Sequence, residues 1–379
     1  MKISYVTTYN ALNIHNWSGL GYYIAKSIKD QKNDIDYIGS LQAHTNLSLR
    51  LRLKLYNKIG KSFVFEREPF IARQYAKQAE SLINKETDIV FSPGTIPTAF
   101  LETSKPKVLY TDATFAAMIN FYPEFSNFPL ETIRHGNFIE QRALSSSKIA
   151  IFSSDWAAKT AIKRYNIDAE KVKVIPFGAN VEHNYCYNDI KNIVNRRSGK
   201  ECNILFSGVD WKRKGGTLAI DVAGILNEMG ISTRLHLLGL VDIPNYSILP
   251  DYVINHGFIS KATEEGKKRI NQLIEESHFL ILPTNSDASP LALSEANSFG
   301  TPCVCSDVGG ITTIIKDNVN GKTFTLAATA NDYARYIYDV FTDTVRYKQL
   351  ALDSFNEYRT RLNWQVAGAK INKIFKELI

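Results

Sequence analysis

The sequence predicts an α/β protein built from two doubly wound, Rossmann-like domains, and three observations predict it. Short apolar runs bounded by turn residues alternate with longer stretches of helical period, the pattern of parallel strands joined by helices. At 379 residues the chain exceeds what a single hydrophobic core usually serves. Midway, the polar and aperiodic stretch IPFGANVEHNYCYNDIKNIVNRRSGKECN interrupts the alternation.

In the first half, strand patterns occupy 3–8, 37–40, 89–92, 107–111 and 148–153, with helical stretches such as 21–31 and 69–84 between them. In the second half, strands are expected at 203–207, 234–240, 279–283 and 302–306, and helices at 217–229, 261–276 and 290–299. Gly230 stands where a glycine closes a helix, directly after the apolar period of LAIDVAGILNEM. The expected boundaries are a first domain over 1–178, a connection over 179–200 and a second domain over 201–360. A terminal helix over 361–379 is expected to return to the first domain. Two such domains facing each other leave a cleft at the carboxyl ends of their sheets, where ligands of this class of fold bind.

Composition narrows the setting. The chain is 44% apolar and 22% charged and contains no run of 18 apolar residues, which excludes a spanning helix. It opens directly into a strand pattern without the apolar core of a signal peptide. Four cysteines suit a reducing compartment, so a cytoplasmic address is expected, with the inner face of a membrane open to it. Cys303 and Cys305 lie in a strand-like run with no second Cys/His pair and read as small buried residues, not metal ligands. The net charge of +7 fits nucleoside diphosphates or an anionic membrane surface as well as nucleic acid. No nucleic-acid-binding motif is present, so no such partner is expected. One stretch fits two periods: Leu47, Leu49, Leu51, Leu53 and Leu55 alternate with Arg50, Arg52 and Lys54, yet on a helix Leu47, Leu51, Leu55 and Ile59 share a stripe. Cations beside exposed leucines would suit peripheral membrane contact. A core-facing element with a solvated basic side is the preferred reading.

The most informative segment is PTNSDASPLALSEANSFGTPCVCSDVGG. Ser289 and Pro290 are expected as N-cap and first-turn residues of a helix. The amides of Leu291 and Ala292 then point out of the helix start and, with the positive end of the helix dipole, make an anion site suited to a diphosphate. Asp287 precedes that site, and Glu295 lies roughly 7–8 Å along the helix from its start at about 1.5 Å per residue. Two carboxylates beside a phosphate pocket suit recognition of sugar hydroxyls and ribose hydroxyls. Singly, each would more often be a solvated acid.

Asp287 and Glu295, with seven residues between them, resemble the E-x7-E motif of family-4 retaining glycosyltransferases of the GT-B fold. The following EANSFGTPCVCSDVGG is similar to that family's EA-x-x-x-G-T-P-V-V-x-x-x-x-G-G run. The resemblance implies that Glu295 holds the nucleotide ribose and that Asp287 contacts the donor sugar; Asp is one methylene shorter than the family's Glu. It also implies that Lys214, in VDWKRKGG after a strand, neutralises the diphosphate. The family's arginine after the strand's glycine is absent here, and Lys212 or Arg213 stands in for it. Ser18-Gly19-Leu20-Gly21 resembles the family's G-G-x-G loop and places Gly19 and Leu20 over the donor phosphates. It lacks a third glycine and the strand spacing of a dinucleotide fingerprint, which counts against an NAD-dependent oxidoreductase or epimerase. Where many relatives have a sugar-binding histidine, this chain has Thr111 and Asp112, and Asp112 is the candidate polar contact. Uracil or guanine is expected against the Gly257-Phe258-Ile259 turn.

The implied chemistry is retaining transfer of a hexosyl unit from a UDP- or GDP-sugar to a hydroxyl of a glycan, a lipid-linked glycan or a small molecule. It needs no cofactor and no metal, because Lys214, Arg213 and backbone amides supply the positive charge. Asp34 and Asp36 form a D-x-D, but at the start of a strand, so chance explains it. His135 and His256 read as structural. The alternative function is a nucleotide-sugar-binding accessory subunit without strong transfer activity.

Overall fold

The computed structural model describes residues 1–379 except Ser198, Asn245 and Ser247. Two compact units result: Met1–Pro176 with Trp364–Ile379, and Phe177–Asn363.

The first unit holds strands β1 (Lys2–Val6), β2 (Asp34–Ile38), β3 (Ile89–Ser92), β4 (Lys107–Thr111), β5 (Ile149–Phe152) and β6 (Val172–Val174). They pair in parallel in the order β2-β1-β3-β4-β5-β6. Central strands are apolar at successive positions, as IVFS in β3, because helices cover both faces of a parallel sheet. β2 lies at one edge and is more exposed, and it carries Asp34 and Asp36 away from the carboxyl ends where ligands bind. The chain runs from β1 outward to β2 and then returns to β3 on the opposite side of β1. The carboxyl ends of β1 and β3 therefore part at a switch in strand order, which opens a crevice.

The terminal helix Trp364–Leu378 packs on helix Leu20–Lys29 within this unit. The approach is close enough that a Cβ on Gly368 would lie 2.3 Å from the Ser27 carbonyl oxygen. Asn33 donates through Nδ2 to Asn372 Oδ1 at 3.0 Å, and Tyr23 stacks on Trp364.

Leu47–Lys58 is a helix, capped by Asn46, whose Oδ1 accepts from the Leu49 amide at 2.8 Å. Leu49 is buried, and Leu53 and Tyr56 pack with it against Val6, Ile38 and Phe63. The stripe of Leu47, Leu51, Leu55 and Ile59 points away from that core and is exposed. This corrects the core-facing expectation: one row of leucines faces inward, and a second row remains in solvent.

The second unit holds β7 (Cys202–Ser207), β8 (Thr233–Leu238), β9 (Val253–Asn255), β10 (Phe279–Leu282), β11 (Cys303–Ser306) and β12 (Gly321–Phe324). Their order is β12-β11-β10-β7-β8-β9, all parallel. Alternate residues face opposite layers. Ile204 and Phe206 meet helices Gly216–Glu228 and Ala330–Thr342, while Leu205, Leu280 and Leu282 meet Glu264–Glu276 and Leu291–Asn297. Cys303 and Cys305 are buried free thiols within this second layer. The strand order switches between β7 and β10.

The expected connection over 179–200 is part of the second unit, and Ser198 within it lies outside the described residues. It contains helix Tyr187–Arg196, whose Ile190, Ile193 and Val194 enter the core. Arg197 then fixes the segment with five hydrogen bonds. They run to the carbonyls of Glu275, Phe299 and Gly300, to Thr301 Oγ1 and to Tyr347 Oη, at 2.6–3.0 Å. The planar guanidinium satisfies carbonyls that a lysine could reach only one or two at a time.

Because Gly368 sits against backbone, Gly368→Val is expected to lower stability by about 1–3 kcal/mol through overpacking. Chemical denaturation measures it, and an unchanged midpoint would contradict the packing described.

Candidate functional site

The loops that follow β7 and β10 meet at the switch point of the second sheet. After β7 the chain forms a single helical turn, Trp211–Lys214, started by Asp210, whose Oδ1 accepts from the Arg213 amide at 3.0 Å. Gly215 follows with φ 78°. A Cβ there would lie 2.1 Å from the Pro283 carbonyl oxygen, at the end of β10. Only glycine allows this approach. The two loops are then joined along their backbones: the Asn285 amide and Thr284 Oγ1 donate to the Arg213 carbonyl at 2.8 and 2.9 Å.

This places side chains named from the sequence together. Lys214 Nζ bonds Asp287 Oδ2, and Arg213 Nη1 lies 3.7 Å from the same oxygen while donating to the Ser286 carbonyl at 2.9 Å. Asp287 and Lys214 are both largely buried. Asp287 is also held from behind, since the Gly310 amide donates to its carbonyl at 3.2 Å. Lys212, the other candidate stand-in for the missing arginine, has no ion pair among the described residues. Arg213 is the cation that the structure brings to Asp287.

The helix after this loop runs Leu291–Asn297, and its N-cap is Pro290, without a side-chain cap. The expectation that Ser289 caps it is corrected: the helix begins one residue later, so the proline is the capping residue itself. Ser289 Oγ is buried and has no hydrogen-bond partner among the described residues. The Leu293 amide turns back to the Pro290 carbonyl at 3.2 Å, whereas Leu291 and Ala292 occupy the first turn, where helix geometry provides no acceptor. At seven residues the helix has only a small summed dipole, so individual N–H groups and the nearby cations dominate any anion binding here. Glu295 lies on the same helix and is 5% exposed. It accepts from Lys261 Nζ at 2.5 Å.

Lys261 was not evident from the sequence, where it is one lysine among many. It matters because it ties Glu295 to the loop that carries Phe258 and Ile259. That loop turns at Gly257, φ 66°, and leaves the Phe258 ring exposed while Ile259 packs inward. The second unit thus gathers three cations, two carboxylates, an unpartnered hydroxyl and an exposed aromatic ring around the carboxyl ends of β7, β9 and β10.

The first unit has its own cavity of about 150 Å³ at its switch point, lined by Tyr9, Trp17, Arg67, Thr95, Asp112 and Glu140 among others. Arg67 Nη1 bonds Glu140 Oε2 at 2.9 Å, Thr95 Oγ1 donates to the same oxygen at 2.7 Å, and the guanidinium lies over the Phe115 ring. Tyr9 Oη is buried without a partner among the described residues. Burial, and secondarily the charge of Asp112, pushes its phenol well above the ordinary value, so it remains a proton donor. Gly19 and Leu20 are not among the residues that line the cavity, but they follow Trp17, which is: Trp17, Ser18 and Gly19 have φ of 46°, 53° and 81°, a left-handed run that leads into helix Leu20–Lys29. Gly21 has no Cβ because the Tyr9 ring occupies its place. His135 bonds Glu68, and His256 stacks on His236, so both have structural partners. Among the described residues no group of three or more His, Cys, Asp or Glu side chains is placed to hold a metal ion.

Residues 189–354 match the model of the family described as glycosyl transferases group 1. That stretch lies within the second unit. A D-inositol 3-phosphate glycosyltransferase of Paenarthrobacter aurescens is 22% identical over 220 residues, 56% of this chain and 53% of that protein. The alignment thus spans about half the length of that curated relative. Among solved structures, sucrose-phosphate synthase from Thermosynechococcus elongatus superposes with a TM-score of 0.68 at 14% identity, covering 100% of this chain and 99% of that one. Anabaena HepE in complex with UDP-glucose gives 0.62 at 16% identity, with 100% of both chains covered. At these identities the likeness shows the fold, which is the GT-B class of two Rossmann-like domains.

Gly215→Ala is expected to lower stability by about 1–3 kcal/mol, since the new Cβ meets backbone at a left-handed position. A denaturation midpoint equal to the parent's would contradict the contact with Pro283.

Proposed function

We propose that the protein is a retaining glycosyltransferase. It moves a hexosyl unit from a UDP- or GDP-sugar to a hydroxyl of a glycan, a lipid-linked glycan or a small molecule. The observation that carries this reading is the convergence of Lys214, Arg213 and Asp287 at the switch point of a group 1 glycosyltransferase domain, with Glu295 on the adjoining helix.

The roles follow from charge. Departure of a nucleoside diphosphate builds negative charge on its oxygens, and preorganised donors are most effective where charge develops. Lys214 and Arg213 supply that positive charge, and the amides of Leu291 and Ala292 with the hydroxyl of Ser289 offer hydrogen bonds. When a donor binds, Lys214 is shared between Asp287 and the diphosphate, which leaves the carboxylate to orient the sugar. Asp287 has no covalent role in this scheme, because attack occurs on the face from which the diphosphate leaves. Glu295 accepts from the ribose hydroxyls, with Lys261 holding its carboxylate in place. Phe258 offers an apolar surface to the base, and the neighbouring backbone reads its edge. Fixed cations in these positions perform the task that a divalent metal would otherwise serve.

The cavity of the first unit suits the acceptor. Tyr9 Oη and Asp112 provide a donor and an acceptor for a sugar hydroxyl, and the Arg67–Glu140 pair gives a rigid polar wall. The relative solved with UDP-glucose supports a UDP-sugar as the first donor to try.

The test is incubation with labelled UDP- and GDP-hexoses and candidate acceptors, with the anomeric configuration of the product read by NMR. Lys214→Ala and Glu295→Ala are each expected to lower turnover by roughly 100-fold or more while leaving the fold intact. Addition of EDTA is expected to leave turnover unchanged. Full activity in either variant would remove the site assignment. Donor binding with neither transfer nor hydrolysis would favour an accessory subunit.

A further inference from the structure

We propose that helix Leu47–Lys58 is a membrane-docking element that lies flat on an anionic lipid surface. Leu47, Leu51, Leu55 and Ile59 are 73%, 58%, 57% and 59% exposed, although each is large and apolar. They recur every fourth residue and so form one line along the helix. Each of the last three follows a cation directly in sequence, so Arg50, Lys54 and Lys58 form a second, parallel line beside the leucines. The opposite side of the helix is already occupied by Leu49, Leu53 and Tyr56 packed on the core. The exposed stripe is therefore not available to close the fold.

The charge pattern says what covers it. Between Asp36 and Glu66 the sequence contains no acidic residue. The one cation that turns inward, Arg52, is neutralised by Glu68 and Glu131 at 3.2 and 2.5 Å. Arg50, Lys54 and Lys58 make no ion pair among the described residues; Arg50 donates only to Thr45 Oγ1. A second copy of this helix would bring two acid-free cationic rows together, which electrostatics opposes. An interface of anionic headgroups over acyl chains satisfies both rows at once: leucines enter the acyl boundary and the cations remain at headgroup level. Among the described residues no helix is long and apolar enough to cross a membrane, so the contact is peripheral. The inference does not depend on the donor assignment, since none of these residues belongs to that site.

The experiment is co-sedimentation of the full chain with extruded vesicles of phosphatidylcholine alone or mixed with phosphatidylglycerol. Binding is expected to the anionic vesicles and not to phosphatidylcholine alone, and it is expected to fall as salt rises. Leu51→Glu/Leu55→Glu is expected to abolish binding, and Lys54→Gln/Lys58→Gln to weaken it by roughly tenfold or more. All four positions are at the surface, and circular dichroism with nucleotide binding checks that each variant remains folded. Absence of binding to anionic vesicles would overturn the proposal, as would parental binding by the folded Leu51→Glu/Leu55→Glu variant. So would a concentration-dependent dimer, seen by light scattering in the parent and absent in that variant, because the stripe would then be a contact between copies. Vesicle binding in a protein that fails to bind UDP or GDP would sink the donor assignment and leave this inference standing.

Discussion

The second unit is organised around one close approach, that of Gly215 to the carbonyl of Pro283. The loop after β7 must turn sharply there, in a left-handed conformation and without a side chain, to come within hydrogen-bonding reach of the loop after β10. Once the two loops are joined, Lys214 and Arg213 lie beside Asp287, with Arg213 also held by Asp210 at 3.3 Å. The buried helix Leu291–Asn297 behind them then has its first-turn amides and Glu295 at fixed positions. A parallel sheet provides the setting, because its strand order reverses between β7 and β10 and frees their carboxyl ends. The chemistry proposed for the site depends on this backbone geometry more than on any single charge.

How much of this was legible in the sequence depended on how local the signal was. Strands such as FLIL in β10 announce themselves because both of their faces are buried, and the motif residues Lys214, Asp287 and Glu295 lie in short loops with regular spacing. The family match over 189–354 bears on that same half. Helix Tyr187–Arg196 was read as part of a connection, because only three of its ten residues are buried and the rest are polar. The exact start of helix Leu291–Asn297 shifted by one residue, and with it the roles of Ser289 and Pro290. Such a shift leaves the apolar period unchanged, so periodicity could not detect it.

Other features exist only in three dimensions. Lys261 acquires meaning through its bond to Glu295, 34 residues away. Tyr9, Arg67, Asp112 and Glu140 share a cavity although no sequence window contains them. The leucine-rich stretch fits both a strand and a helix, and the sequence cannot choose which leucines face inward. Folding chooses Leu49, because the helix docks by that side beside Phe63 and Val6. What remains outside is a stripe whose pattern was visible from the start, although its exposure was not.

Isothermal titration of UDP and GDP into the parent protein, Lys214→Met and Glu295→Gln tests the central claim most directly. The account predicts that at least one of the two nucleotides binds the parent at a single site. It also predicts that each substitution weakens that binding by about tenfold or more, the loss of a charge-assisted bond of roughly 1.5–3 kcal/mol. If neither nucleotide binds, or if both variants bind as the parent does, then the loops at the switch point of the second sheet are not a nucleotide-sugar site.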